Sequence, residues 1–457
     1  MPARAEVGAP TPHLFRSTRG EVVGASLRDM TLQGQAPDGG LYIPETLTKM
    51  SPDFFRRLPG MPLQEIGFEV SKHLYGSAIP DQDLRGIVDR AFNFDIELQK
   101  LGKKTHLLEL FHGPTAAFKD FGARYMAQLL SYELEHGNGD HRPLTILVAT
   151  SGDTGSAVAD AFLNLPGMRV TILYPKGKVS KLQEKQLTTY GEDSNIWTLE
   201  VDGTFDHCQA LVTQAFSDSD LKKPLRLNSA NSKNGVRWIP QSFYDFWAFG
   251  ELRREGYDDK VVLSVPCGNF GNLTAGVLAK KLGLPIFRFV AATNANHVVP
   301  DYLESGIWTP REFVGTISPS MDVSDPSNFE RLDALYKGNV DKMREDIYGT
   351  HFTDDEVREK IHEVWEHFGY LMDPHSAIAF MGWREFKENT GFDGEGVVLM
   401  TAHPAKFPDT VQPLIGDYKI PTPRGIKEVA KKKKESTRIS ANYEEFKEWL
   451  LDNKDRS

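Results

Sequence analysis

Short runs of consecutive apolar residues alternate along much of this chain with stretches in which apolar residues return every third or fourth position. The runs at 144–149 (LTILVA) and 170–174 (VTILY) predict strands, as do 196–201, 225–228, 261–265, 287–291 and, near the end, 396–400 (GVVLM). The wider spacing predicts helices over 63–74, 84–94, 156–163, 207–216, 240–255, 272–282 and 443–451. Strands without polar alternation are buried on both faces. Their alternation with helices predicts an α/β fold with mostly parallel sheets. Residues 1–100 read as a mixed N-terminal domain, with turn chemistry at Ala36-Pro37-Asp38-Gly39-Gly40 ahead of the apolar Leu41-Tyr42-Ile43. Two sheet-containing lobes follow, at 101–255 and 256–420. Residues 421–457 read as a helical tail, in which the four lysines at 431–434 form a solvated helix face.

Composition narrows the function. The 457 residues include 53 Lys plus Arg and 63 Asp plus Glu, for a net charge of −10. That balance argues against nucleic acid or an anionic membrane as the main partner, although a local pocket can still take a small anion. The two cysteines, Cys208 and Cys267, are too few for a disulfide scaffold or a Cys-rich zinc site and fit a reducing, cytoplasmic setting. The opening MPARAEVGAPTPHLF lacks the apolar core of a secretory signal, and no run of about 18 uncharged apolar residues predicts a membrane span. The histidines lack metal-ligand spacing, so no metal is expected.

Three loops follow predicted strands, where open α/β sheets hold their ligands. Thr150-Ser151-Gly152-Asp153-Thr154-Gly155 opens a helix and combines hydroxyls with glycines, which suits a carboxylate or phosphate. Gly268-Asn269-Phe270-Gly271-Asn272 is a second such turn. Its amide groups form a nest for phosphate, with the asparagines as extra donors, and it matches neither the P-loop nor G-x-G-x-x-G. The third loop begins at Thr401 and contains His403, which before Pro404 reads as structural. Lys119 lies between Phe118 and Phe121. Alone it reads as a lysine whose stem covers the core. Beside a phosphate nest on the same sheet it points to a pyridoxal 5'-phosphate (PLP) site, which needs an imine-forming lysine, a phosphate cradle and a partner for the pyridine nitrogen.

These segments resemble the threonine synthase family, PLP enzymes of the tryptophan-synthase-β-like fold. The resemblance rests on Ser17-Thr18-Arg19-Gly20, LQGQAPDGGLY at 32–42, HGPTAAFKD at 112–120, TSGDTG at 150–155, Asn228-Ser229-Ala230-Asn231-Ser232 with Arg237, GNFGN at 268–272, Met321-Asp322-Val323-Ser324 and TAHPAKF at 401–407. It implies PLP fold type II, with the cofactor in the cleft between two lobes. Lys119 would carry the imine and shuttle protons, beside Phe118. Gly268, Asn269, Phe270, Gly271 and Asn272 would hold the cofactor phosphate, and Thr401 would meet the pyridine nitrogen. Ser151, Gly152, Asp153 and Thr154 would cup the amino-acid end of the substrate. Asn228, Ser229, Asn231 and Arg237 would take its phosphate. The implied reaction converts O-phospho-L-homoserine and water to L-threonine and phosphate in a monomer or homodimer. Two alternatives stand beside it: a phospho-lyase releasing a keto acid, and a non-catalytic anion-binding protein on the same fold.

Overall fold

Every predicted strand is a strand in the computed structural model, which describes residues 13–454 apart from 138, 139, 141 and 192. The N-terminal dozen, read above for a leader, lies outside the described residues. Among those residues no helix is long and apolar enough to cross a membrane.

Two sheets carry the fold. In the six-stranded sheet the order is Ile347–His351, Ile286–Thr293, Val261–Pro266, Glu395–Met400, Thr105–Glu109, Glu97–Lys100. All neighbours are parallel except the last pair. The five-stranded sheet runs Thr437–Ser440, Ile196–Asp202, Met168–Pro175, Leu144–Ala149, Arg226–Ser229 and is parallel throughout. Leu144–Ala149, Val261–Pro266 and Glu395–Met400 are buried at every position, as helix-covered parallel strands must be.

This topology corrects the linear division of the chain. Glu97–Lys100 and Thr105–Glu109, placed above at the domain border and in the first lobe, belong to the sheet of the second. The terminal segment is not a helical tail. It contributes Thr437–Ser440 as an edge strand of the first lobe's sheet before the helix Tyr443–Asp452. The lysine run lies beyond the helix Arg424–Ala430, and Lys434 bonds to Glu184 and Glu200, each at 2.8 Å. It fastens the tail to the first lobe rather than facing solvent alone. The helix predicted at 84–94 forms earlier, at Asp81–Ala91, where Asp81 and Asp83 favour its N-terminus.

One aromatic cluster matters for the site. Phe121 and Tyr125, one turn apart on the helix Lys119–Glu135, meet Phe92 at ring separations of 6.0 and 5.9 Å. Phe243 and Tyr244, on Gln241–Arg254, close the cluster edge-on at 5.3–5.8 Å. Such pairs contribute about 0.5–1.5 kcal/mol each beyond their buried area. They lock the start of the Lys119 helix against the N-terminal domain.

Candidate active site

A cavity of about 1370 Å³ lies where residues from both lobes and the N-terminal domain meet. The loops after Leu144–Ala149, Arg226–Ser229, Val261–Pro266 and Glu395–Met400 all reach it, so it sits at the carboxyl ends of the strands. Of the sixteen residues assigned from the sequence, all but Gly152 and Asn228 line it.

Lys119 is placed by a stitch between two turns. Phe118 N–H donates to the Thr401 carbonyl at 2.9 Å and His403 N–H donates to the Ala116 carbonyl at 3.1 Å, around a bridge from Ala117 to Ala402. Ala116 takes a left-handed conformation, φ 55°, to make this turn. Lys119 and Thr401, 282 positions apart in the chain, thereby line one cavity. Lys119 is the first residue of its helix, where the helix dipole disfavours an ammonium. Burial pulls its pKa down to about 8; Asp153 opposes that pull, and Arg237 and Lys406 add to it. Among the described residues no hydrogen bond or ion pair holds its amine.

The Lys119 amine is therefore available as a nucleophile near neutrality. With a pKa near 8, about one amine in ten is uncharged at pH 7, against about one in three thousand for an ordinary lysine. Protein stripped of cofactor is expected to recapture PLP with a rate that rises with pH to a midpoint near 8. Stopped-flow absorbance measures it, and a midpoint above 10 would contradict the assignment.

The glycine–asparagine turn is held from behind. Phe270 adopts φ 59° as the N-cap of Gly271–Lys281, and the first amides of that helix have no carbonyl partners within it. The side chains of both asparagines brace the turn. Asn272 Nδ2 donates to the Pro266 carbonyl at 2.8 Å, and Asn269 Oδ1 accepts from Ser327 Oγ at 3.1 Å. The backbone amides and the Asn269 Nδ2 donor are left to hold a phosphate, while Asn272 spends its donor on the turn.

In the TSGDTG loop, Thr150 Oγ1 accepts from the N–H groups of Gly152 and Gly155, at 2.9 and 2.8 Å. Gly152 stands at φ 133°, and a Cβ there would meet the Gln183 side chain at 2.6 Å. It shapes the loop without facing the cavity, while Ser151 and Thr154 do face it. Asp153 lines the cavity but is bound to the protein: its Oδ1 meets Lys406 Nζ at 2.7 Å and Gln183 Nε2 at 3.0 Å, and its Oδ2 accepts from Ser320 Oγ at 3.1 Å. Burial alone would raise its pKa; the charges of Lys406, Lys119 and His375 hold it well below the usual carboxylate range.

Asn228 is a correction. Its amide donates to the carbonyls of Thr31 and Leu32, at 3.1 and 2.8 Å, and it is fully buried away from the cavity. It ties the helix Leu27–Gln33 to the first lobe instead of meeting a substrate. Ser229 and Asn231 do line the cavity, and Asn231 Oδ1 is a buried acceptor with no partner among the described residues. Arg237 is only 4% exposed. Its guanidinium donates to the Ala230 carbonyl and has no carboxylate within ion-pairing distance among the described residues. Burial pulls its pKa down to about 10, with Asp120 opposing. A buried, unneutralised guanidinium beside a cavity is suited to an anionic ligand.

Sequence reasoning missed Lys406, Ser320 and His375. Lys406 lies within the quoted TAHPAKF, between Ala405 and Phe407, in the same kind of apolar setting that drew attention to Lys119. His375 Nδ1 meets Asp373 Oδ2 at 2.6 Å and its Nε2 accepts from Ser320 N–H at 3.2 Å, a pairing no local pattern reveals. His403 is structural, as read: its Nδ1 caps Ala405 N–H at 3.1 Å, and burial pulls its pKa down to about 4.

Comparison with known proteins finds relatives over most of the chain. Residues 95–402 match the family model of pyridoxal-phosphate dependent enzymes, 14–92 the threonine synthase N terminus, and 376–450 the threonine synthase C-terminal model. The chain is 45% identical over 394 residues to the threonine synthase of Haemophilus influenzae, covering 86% of this chain and 89% of that one. It is 42% identical over 419 residues to that of Serratia marcescens, covering 92% and 94%. Among solved structures, threonine synthase from Escherichia coli superposes with a TM-score of 0.88 at 39% identity, over 96% of this chain and 100% of that one. PLP-bound threonine synthase from Brucella melitensis gives 0.88 at 35% identity, over 97% and 100%.

Proposed function

The chain belongs to the threonine synthase family of PLP-dependent enzymes, fold type II, and from that premise we propose how its own residues carry the reaction. The activity is the conversion of O-phospho-L-homoserine and water to L-threonine and phosphate. The observation that carries the reading is the meeting, in one cavity, of an unpaired low-pKa lysine, an amide nest, a buried hydroxyl and an unneutralised arginine.

The residues fit the cofactor. Lys119 Nζ would link to its aldehyde, the amides of 268–272 would hold its phosphate, and Phe118 would border it. Thr401 would hydrogen-bond the pyridine nitrogen; a hydroxyl, unlike a carboxylate, leaves that nitrogen unprotonated. When bound, PLP supplies an electron sink that acidifies the substrate's Cα proton. Lys119 Nζ would take that proton and later return it to Cα, and would also remove one proton from Cβ. Cγ gains a proton in place of the departing phosphate, and water gives its hydroxyl to Cβ and its other proton to the phosphate. The amides of Asp153 and Thr154 at the start of the Asp153–Phe162 helix, with the Ser151 and Thr154 side chains, would receive the substrate carboxylate. Arg237, with Ser229 and Asn231, would grip its phosphate through the planar guanidinium fork. The two free, buried cysteines suit a reducing cytoplasm.

The test is a product assay. Purified protein supplied with O-phospho-L-homoserine is expected to release threonine and phosphate in equal amounts. A keto acid as sole organic product would overturn the synthase reading. A second prediction isolates the arginine. Arg237→Met is expected to raise KM for the phosphorylated substrate about 10- to 150-fold, the equivalent of losing about 1.5–3 kcal/mol of charged hydrogen bonding. Its thermal stability should hold or rise, because among the described residues the replaced cation has no buried counter-charge within ion-pairing distance. An unchanged KM in a steady-state assay would remove Arg237 from the site.

A further inference from the structure

Lys406 has no part in the reading above, yet it is a fully enclosed charge bound to a residue of the site. It ends the short turn Pro404–Lys406 and is 0% exposed. Its ammonium bonds to Asp153 Oδ1 at 2.7 Å and donates to the Thr115 carbonyl at 2.9 Å. The same carbonyl accepts from Gln186 Nε2 at 3.1 Å. Through Asp153 it also reaches Gln183 of Lys181–Thr188 and Ser320 of Pro319–Met321. The Thr115 turn, the helix Lys181–Thr188 and the turn Pro319–Met321 thus converge on one ion pair, whose carboxylate lines the cavity.

The charges around Lys119 make that pair consequential. Asp153 draws a proton onto its amine, whereas Arg237 and Lys406 repel one. Around Asp153 stand Lys406, Lys119 and His375. Asp120, next to Lys119 in the chain, is capped by Thr115 and faces Asp160 and Lys406. If Asp153 were charged and unpaired, the strongest remaining positive charge acting on it would be Lys119, which lines the same cavity. A protonated Lys119 cannot attack an aldehyde.

We propose that Lys406 is a positioning residue: it clamps and neutralises Asp153, and so keeps that carboxylate from holding a proton on Lys119. The proposal rests on Lys119 being the lysine that links to PLP.

The test uses the full chain, stripped of cofactor and supplied with PLP, with the pH midpoint of capture read from visible absorbance. Lys406→Met is expected to move the midpoint up by about one pH unit, because Asp153 is left charged and unpaired. Asp153→Asn is expected to move it down. The double variant Lys406→Met/Asp153→Asn should return near the wild-type midpoint, and Lys406→Arg should stay there. A residue that only packs would alter stability or occupancy without moving the midpoint. Lys406→Met and Asp153→Asn both titrating at the wild-type midpoint would overturn the proposal. Should Lys406→Met not fold, Asp153→Asn and the double variant, which leaves no unpaired buried charge, decide the matter by the same midpoints. Absence of any borohydride-sensitive band in the wild type is a different result: it defeats the Lys119 reading itself.

Discussion

Replacing Lys119 by alanine is expected to lower turnover of O-phospho-L-homoserine by at least about 10³-fold and to abolish the borohydride-sensitive absorbance of bound PLP. One amine is asked to do two things: to anchor the cofactor and to move protons at neighbouring carbons of the substrate. Other bases nearby cannot stand in. Asp153 is occupied by Lys406, Gln183 and Ser320. His375 is held between Asp373 and Ser320. Lys406 is bound to Asp153 and to the Thr115 carbonyl. Stability should hardly fall, since the deleted amine has no protein partner among the described residues. Turnover within tenfold of wild type would mean that the reacting amine lies elsewhere.

The second large effect comes from a methyl group. Gly268→Ala would place a Cβ 2.6 Å from the Ser320 carbonyl oxygen and 2.9 Å from Met321 Cα. Both are backbone atoms, so no side-chain rotation relieves the clash, and the turn must shift by several tenths of an ångström. The shift moves the amides that would hold the cofactor phosphate. Each charged hydrogen bond of that kind contributes about 1.5–3 kcal/mol, so losing one or two should weaken PLP binding about 10²-fold or more. Equilibrium dialysis measures it. Wild-type affinity would contradict the expected displacement of a phosphate-holding nest.

How far the chain alone revealed this site differs from residue to residue. Lys119 and the 268–272 turn stood out because their signals are local: a lysine among aromatics, and glycines leading from a strand into a helix. Asn228 was misread because an amide beside Ser229 and Asn231 looks like a ligand until the helix Leu27–Gln33 packs against it and takes its donors. Lys406 carried a signal of the same kind as Lys119, but its partner Asp153 lies 253 positions earlier, and no pattern in the sequence pairs them.

The division of the chain shows the same limit. Apolar runs and their spacing specify strands and helices because burial and backbone geometry act over a few residues, and here they located every predicted strand. They say nothing of neighbours in the sheet. Strand order is set by which apolar faces bury together and by which crossovers the chain can make, so Glu97–Lys100 joins the second lobe and Thr437–Ser440 the first. The chemistry follows the same division: residue types and turns came from the sequence, while the charge balance on one amine arose only when Asp153, Arg237 and Lys406 were folded around it.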